Sequence, residues 1–147
     1  MKFVSFLLKG QPKFGISDGN NITDLTSKIK GAKTLKELIS NKSLQEAKDF
    51  SKKNPGKINH NEIEYLPVIP NPGKIVCVGL NYSEHVKETG RTVEQNPVIF
   101  LRVPESQTAH KQPIQRPKVS ESLDYECEMA VIMLSLIHIS EPTRRRT

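Results

Sequence analysis

The feature that most constrains this chain is an acidic stretch near its end, residues 123–132, with the order LDYECEMAVI. Carboxylates there alternate with apolar residues, which is typical of a β-strand, because successive strand side chains point to opposite faces. Asp124, Glu126 and Glu128 would then share one face, with same-face Cα atoms roughly 6.5–7 Å apart. Carboxylates this close repel one another, so the row needs water, a basic partner or a bound cation.

Two interpretations of this strand stay open. Hard divalent ions prefer oxygen ligands in octahedral array, and two carboxylates on one rigid strand can supply part of such a site. The alternative is an antiparallel strand with one face in water.

Composition sets the outer limits. A chain of 147 residues, 35% of them hydrophobic, suffices for one domain, or for a small domain plus part of another. Ten Pro and eight Gly favour a strand-rich fold with many turns. No apolar run approaches the ~20 residues of a membrane span, and no cleavage site follows the N-terminal apolar patch. We therefore expect a cytoplasmic protein with no membrane partner, in which Cys77 and Cys127 are reduced thiols.

The net charge of +6 raises the alternative of a nucleic-acid binder. Residues 134–147 hold three arginines and one glutamate, so residues 1–133 carry only +4. The remaining lysines are scattered with few aromatic residues between them. We interpret them as solvated and expect no nucleic-acid partner.

The sequence of the first region predicts a β-meander followed by two helices. Its strands are expected at residues 2–8, 13–17 and 21–25, with a hairpin turn at Asp18-Gly19. Thr34 to Glu37 and Ser43 to Glu46 each fit a helix capping box, and the segment 54–56 ends the second helix. The residues expected to face inward are Leu35, Leu38, Ile39, Leu44, Ala47 and Phe50. We therefore expect the first region to serve in packing or positioning and to carry no catalytic residues.

A second region follows a stiff segment with prolines at 67, 70 and 72, which predicts a boundary. Residues 74–79 have the pattern of a buried strand, and Asn81 can cap a helix that begins at Tyr82 and ends at Gly90. His85 and Glu88 are three residues apart on that helix and share a face. A carboxylate bonded to one imidazole nitrogen leaves the other free to accept a proton; the alternative is an ordinary surface pair.

A strand at 97–102 and a polar loop at 104–117 complete the second region. The loop contains Ser106, Gln107 and His110 and leads into the acidic strand. A loop of this length in a compact domain is usually functional or disordered.

Three motifs in this order and spacing resemble the fumarylacetoacetate hydrolase family. They are KIVCVGLNYSEHVKE at residues 74–88, PVIFLR at 97–102 and DYECE at 124–128, which correspond to the family's G-x-N-Y-x-x-H-x-x-E, P-x-x-F and D-x-E-x-E. The resemblance covers residues 74–132 well, and residues 1–70 more loosely resemble the small N-terminal domain of many members.

The resemblance implies an α+β, mainly β fold. A small N-terminal β/α domain (1–68) would precede the first part of a mixed β-roll catalytic domain (69–133). It also implies Mg²⁺ or Mn²⁺ held by Glu126, Glu128 and an Asp from later in the family's domain. His85 and Glu88 would form the dyad that activates water. The expected partners are a small 2-oxo acid or 1,3-dicarbonyl substrate and, in the full-length form, a second copy in a homodimer.

The reaction implied is C–C bond hydrolysis of the acylpyruvate or fumarylacetoacetate type. Oxaloacetate-type decarboxylation and isomerisation or hydration of the 2-hydroxymuconate type are the alternatives within the family, and a non-catalytic binding paralogue is the alternative outside catalysis. A metal that chelates a 2-oxo acid stabilises the enolate that forms when a C–C bond breaks. Hydrolysis needs a base for water in addition, and decarboxylation does not.

Three departures from the family pattern stand out. Arg102 occupies a position where many members have Lys; its fork can hold a substrate carboxylate, and an ordinary surface arginine is the alternative. We assign Tyr82 and Arg102 to substrate binding. Cys127 replaces a common small residue and is interpreted as packing.

The third departure is the tail. Residues 134–144 resemble the translation of a transposase adaptor used in sequencing libraries, so we expect 134–147 to be non-native read-through in a truncated gene model. The fragment itself is then expected to bind metal weakly, to be inactive and to aggregate through exposed strand edges.

Overall fold

The computed structural model of the chain describes residues 1–88, 90, 96–123 and 129–133. Its strands and helices, in chain order, are β1 (Lys2–Leu8), β2 (Gln11–Ser17), β3 (Asn21–Asp24), α1 (Leu35–Ser40), α2 (Leu44–Lys53), β4 (Ile58–Asn59), β5 (Ile63–Tyr65), β6 (Ile75–Gly79), α3 (Ser83–Glu88) and β7 (Val98–Arg102), with 3-10 turns at His60–Glu62 and Pro104–Ser106. The described fold is mainly β, as predicted. None of the helices in these residues is long and apolar enough to cross a bilayer.

The first sheet has five antiparallel strands in the order β4-β3-β2-β1-β5. The predicted meander is confirmed as β1, β2 and β3, although β2 begins at Gln11, two residues earlier than expected. Pro12 fits there because its position is exposed and proline is tolerated where no ladder N–H is needed. The short strands β4 and β5 were not predicted.

The hairpin turn between β2 and β3 is confirmed at Asp18-Gly19. The backbone N–H of Asp18 donates to the Asn21 carbonyl at 3.1 Å, and the Asp18 carboxylate accepts from the N–H groups of Asn20 and Asn21, both at 2.8 Å. These two bonds, with Asn21 the larger effect, lower the pKa of Asp18. Gly19 has φ +112°, which a side chain rarely tolerates.

Both helices pack on one face of this sheet. Phe14 and Ile16 of β2 are buried there, and the core continues through residues of the helices and their connections: Leu25, Ile29, Ala32, Leu35, Leu38, Ala47 and Ile69. Ile39, Leu44 and Phe50 pack against this core and are only partly buried. The helical periodicity therefore predicted the inward faces of α1 and α2 correctly.

The two predicted capping boxes do not form as expected. Thr34 does cap α1, because its hydroxyl accepts from the N–H of Glu37 at 3.2 Å. The Glu37 carboxylate, however, accepts from the N–H of Lys33 rather than from Thr34, at 2.6 Å. Ser43 makes no capping bond to α2; its hydroxyl donates instead to the Asn41 carbonyl. A complete capping box forms at Asn59 and Glu62, before β5.

The proline-rich segment is docked on the first sheet. The N–H of Leu66 donates to the Ser5 carbonyl at 2.9 Å, and the Ser5 hydroxyl donates to the Val68 carbonyl at 2.8 Å. Ile69 is 8% exposed and belongs to the core. The predicted division of the chain at residues 68 and 69 stays a prediction, and the segment around it is held by the N-terminal sheet.

The second sheet consists of β6 and β7, which pair antiparallel from Ile75 with Arg102 to Gly79 with Val98. Both predicted strands form, each beginning one residue later than expected. The prediction that the first of them is buried was wrong, because no element within the described residues covers the face that carries Val76 and Val78. Residues on one face of this pair are largely exposed: Val76, Val78, Ile99 and Leu101. Phe100 on the other face is also 48% exposed. Within the described residues, this sheet is therefore an apolar surface with little cover.

The acidic strand predicted at residues 123–132 lies largely outside the described residues, since these exclude 124–128. Residues 129–133 are described and have no regular secondary structure, and Met129 and Val131 are exposed. The strand prediction is therefore not borne out for that part. A strand forms only where a partner accepts its backbone hydrogen bonds.

The end of α2 approaches β3 so closely that a glycine is required. Ser51 donates to the Thr23 hydroxyl, which donates to the Asn54 carbonyl, and Gly56 then passes the β3 backbone. A Cβ on Gly56 would lie 2.5 Å from the Thr23 nitrogen, against backbone that cannot yield cheaply.

We expect Gly56→Ala to lower the free energy of unfolding by about 1–3 kcal/mol, the usual cost of overpacking. Gly73→Ala is the matched control, because nothing lies within 4 Å of its Cβ position. Urea denaturation of both variants measures the difference. Equal stability of the two variants would contradict the described contact.

The partly buried ion pair between Lys13 and Asp24 generates a pH prediction. Burial raises the pKa of Asp24, but the Lys13 ammonium at 2.5 Å and bonds from Thr26 outweigh it, so the pKa is lowered. Because the folded pKa is depressed, the stabilisation is present above the unfolded value of about 3.9 and is lost as pH falls through the folded pKa.

Lys13→Met should raise the pKa of Asp24, since burial remains without the opposing charge. The acid-induced loss of stability that Asp24 contributes should then become smaller, because its folded pKa no longer lies as far below the unfolded value. NMR titration of the Asp24 carboxyl carbon measures the shift, with the exposed Lys118→Met as control. An unchanged Asp24 titration in Lys13→Met would show that the ammonium does not set this pKa.

Candidate active site

The turn from β6 into α3 forms the first part of the site. The β-branched run of β6 ends at Gly79, and Leu80 then adopts φ +55°, which redirects the chain into the helix. The helix begins at Ser83, one residue later than predicted. Its last residue is Glu88, and Gly90, the predicted stop, has φ +68° and donates its N–H to the Lys87 carbonyl at 3.0 Å.

Both members of the predicted dyad, His85 and Glu88, lie in α3. Their separation of three residues places them on one side of a helix, where such residues are neighbours. Glu88 is exposed. Val86 is 3% exposed, so the helix is packed through that residue. The helical placement of the dyad is therefore as predicted, and its catalytic role stays a prediction.

Tyr82 lies in the turn just before α3 and is 51% exposed. Its carbonyl accepts the N–H of Val86 at 3.0 Å. A cleft of about 190 Å³ adjoins this turn and is lined by Val78, Gly79, Leu80, Asn81, Asn96, Pro97 and Val98. This volume is below the ~300–1,000 Å³ of pockets for drug-sized ligands, so the cleft fits only a small molecule.

Arg102 ends β7 and lies beside Ile75, at the end of the sheet opposite the Gly79–Val98 pair. Arg102 is four residue steps along the strand from Val98, a distance of about 13 Å between their Cα atoms. The Arg102 guanidinium donates to the Ser106 carbonyl at 2.9 Å. Tyr82 and Arg102 thus follow opposite ends of one sheet, and their joint contact with a substrate stays a prediction.

The predicted metal ligands Glu126 and Glu128 lie outside the described residues, as does Cys127. Their side-chain chemistry fits a hard divalent cation, which prefers carboxylate oxygens. Among residues 1–88, 90, 96–123 and 129–133, no group of three His, Cys, Asp or Glu side chains is arranged to hold a metal. Cys77, which is described, has a free, half-buried thiol.

A polar cluster that was not predicted lies on the first sheet. His60 bonds through Nε2 to the Ser17 hydroxyl at 3.0 Å and through Nδ1 to the Tyr65 hydroxyl at 2.5 Å. The Tyr65 ring meets the His110 ring edge-on, with centroids 4.9 Å apart. The N-x-x-E capping signal at Asn59 could have indicated the turn that presents His60, but the contact with His110 spans 45 residues and leaves no local signal.

The polar loop after β7 is therefore anchored to the N-terminal region. Besides the Tyr65–His110 contact, Gln107 donates to the Ile69 carbonyl at 3.3 Å, and Gln112 donates to the Glu64 carboxylate at 3.4 Å. The predicted long loop begins with the 3-10 turn Pro104–Ser106 and is otherwise irregular.

Comparison with known proteins identifies the same region of the chain. The family model described as the fumarylacetoacetate hydrolase C-terminal domain matches residues 74–142. The match extends past residue 134, so it marks no boundary there, and the non-native tail stays a prediction.

Several curated relatives are named as enzymes. The chain is 32% identical over 140 residues to a mitochondrial oxaloacetate tautomerase, fahd2, of Xenopus laevis, covering 90% of this chain and 44% of that protein. It is 35% identical over 72 residues to human mitochondrial oxaloacetate tautomerase FAHD2A, covering 49% of this chain and 23% of that protein. The chain thus spans less than half the length of these relatives. The cytoplasmic location expected here stays a prediction.

A solved structure shares the fold. The crystal structure of a protein from Mycobacterium smegmatis described as HpcE matches with a TM-score of 0.59 and 20% identity, covering 80% of this chain and 41% of that one. At this identity the similarity concerns the fold alone. The family model, the relatives and the fold agree with the three motifs, and the chain belongs to the fumarylacetoacetate hydrolase family.

Proposed function

We propose that this chain contributes the active-site helix and metal-binding carboxylates of an enzyme that converts small 2-oxo acids between keto and enol forms. The observation that carries the proposal is the match over 90% of the chain to a protein named oxaloacetate tautomerase. The match includes the N-terminal region, which the family model does not cover.

The chemistry requires a base beside the carbon next to the ketone. In the keto-to-enol direction, the base removes a proton from that carbon, and a proton is delivered to the ketone oxygen. His85, oriented by Glu88, has the right residue type for this transfer near neutral pH. The small cleft at the Leu80–Asn81 turn, which precedes this helix, supports the assignment.

The acid group of the substrate needs a cationic partner. Arg102 can supply one, because a guanidinium has five N–H donors and Ser106 engages only one of its two terminal nitrogens. The remaining donors suit the two oxygens of a carboxylate. A divalent cation held by Glu126 and Glu128 would draw electron density from the ketone and so lower the cost of enolisation.

C–C bond hydrolysis, the reaction first expected from the motifs, is the second candidate. It uses the same base to activate water, and the family description is that of a hydrolase. Decarboxylation and isomerisation or hydration of related acids also remain within the proposal. Product analysis with oxaloacetate and an acylpyruvate separates tautomerisation from decarboxylation and hydrolysis, because only the last two break a carbon–carbon bond.

In the complete gene product, Glu126→Gln should weaken Mn²⁺ binding and lower kcat/KM for oxaloacetate by at least about 100-fold. Mutation of the residues that hydrogen-bond to metal ligands already lowers metal affinity or activity about 10–100-fold in typical cases. Calorimetry and an enol-absorbance assay measure the two effects. Glu121→Gln, a nearby exposed carboxylate, is the control and should behave as the parent. Unchanged metal binding in Glu126→Gln would refute the ligand assignment.

His85→Gln in the same protein should lower kcat by about 10²–10⁴-fold, the usual contribution of a general base, while Mn²⁺ binding stays unchanged. Glu84→Gln is the matched control, because Glu84 lies on the same helix and forms an exposed ion pair with Lys87. A kcat for His85→Gln within twofold of the parent value would exclude His85 as the base.

A further inference from the structure

We infer that Gln107 is a positioning residue that fixes Arg102 for carboxylate binding by tying its turn to the N-terminal core. The inference rests on the proposed function, since it assigns substrate binding to Arg102. It makes the N-terminal region a determinant of substrate affinity.

The first link joins Arg102 to the turn that follows β7. Its guanidinium donates to the Ser106 carbonyl at 2.9 Å, four residues along the chain. The turn is closed by the N–H and hydroxyl of Ser106, which both donate to the Val103 carbonyl, at 3.0 and 2.7 Å. The position of the Ser106 carbonyl therefore sets the direction of the Arg102 side chain.

The second link joins this turn to the N-terminal region through one side chain. The Gln107 amide nitrogen donates to the Pro104 carbonyl at 3.2 Å and to the Ile69 carbonyl at 3.3 Å. An amide NH₂ has two donors, so one group satisfies both acceptors. Gln107 is half-buried, which limits the water available to replace these bonds.

The third link is the rigidity of the acceptor. Ile69 is 8% exposed in the core, and the preceding Val68 carbonyl accepts from Ser5 of β1 at 2.8 Å. On the other side, Lys36 of α1 donates to the Asn71 carbonyl at 2.9 Å. The Ile69 carbonyl is thus held by the sheet and by a helix, and it gives Gln107 a fixed partner.

The consequence is a preorganised guanidinium. A long arginine side chain loses rotamer freedom when it binds a carboxylate, and a side chain already held in place loses less. The carboxylate does not react, so this contribution should appear in substrate affinity and leave the chemical step unchanged.

The loop offers a matched control for Gln107. Gln112 also donates from its side-chain amide to the N-terminal region, at 3.4 Å from Glu64, but its bond is exposed and lies outside the Arg102 turn. Gln107→Met and Gln107→Glu both remove the donor while keeping the side-chain length. Gln112→Met removes the donor at the control position.

The experiment has two readouts. In the 147-residue chain, the Arg102 guanidinium is observed by ¹⁵N NMR, and its signal is assigned by its loss in Arg102→Lys. The chemical shift of this signal should move to that of a free arginine in both Gln107 variants. It should stay unchanged in Gln112→Met. In the complete gene product, both Gln107 variants should raise KM for oxaloacetate about tenfold, roughly the effect of one lost hydrogen bond, with kcat within twofold.

The contradicting outcomes are distinct. An unchanged Arg102 signal in the Gln107 variants, with thermal stability retained, overturns the positioning role. An equal rise in KM for Gln112→Met also overturns it, because general loop loosening would then explain the effect. A shifted Arg102 signal in a complete protein that does not turn over 2-oxo acids refutes the proposed function and the substrate role of Arg102, while the contact itself is upheld.

Discussion

The burial of the N-terminal sheet against two short helices is the constraint on which the rest of the structure depends. Phe14 and Ile16 of β2 are almost fully enclosed by residues of α1, α2 and their connections. Ile69 completes the same core from a segment that would otherwise be a proline-rich linker. The hydrophobic burial that folds the first region therefore also fixes the chain that enters the second.

This arrangement gives the N-terminal region a role in the candidate site. Gln107, Gln112 and His110 all contact it from the loop that follows β7. By contrast, β6 and β7 leave apolar side chains such as Leu101 exposed within the described residues. The site helix follows one strand of this lightly covered sheet, and Arg102 ends the other. The loop after β7 is held by the more completely packed N-terminal region.

Features of the fold that depend on neighbouring residues could be predicted from the sequence, whereas contacts between distant residues could not. The turn at Asp18-Gly19 and the cap at Thr34 depend on bonds within three residues, and both form. Ser43 has the same local signal but bonds backwards to Asn41, since a short hydroxyl can choose between neighbouring backbone groups. The pairing of β1 with β5 joins residues nearly sixty positions apart, so no local sequence pattern predicts it.

The candidate site shows the same division. The residue pattern predicts the β6 strand, the dyad helix and the glycine turn at Gly90 that follows this helix. The anchoring of Arg102 through Gln107 depends on the position of Ile69, which is set by the packing of the folded core and could not be predicted from the local sequence. The central claim concerns the carboxylates of Glu126 and Glu128. Its most direct test is anomalous scattering from Mn²⁺ in crystals of the complete gene product. The account predicts a peak within bonding distance of carboxylate oxygens of both residues. A fully occupied Mn²⁺ bound elsewhere, with both carboxylates free of metal, would contradict it.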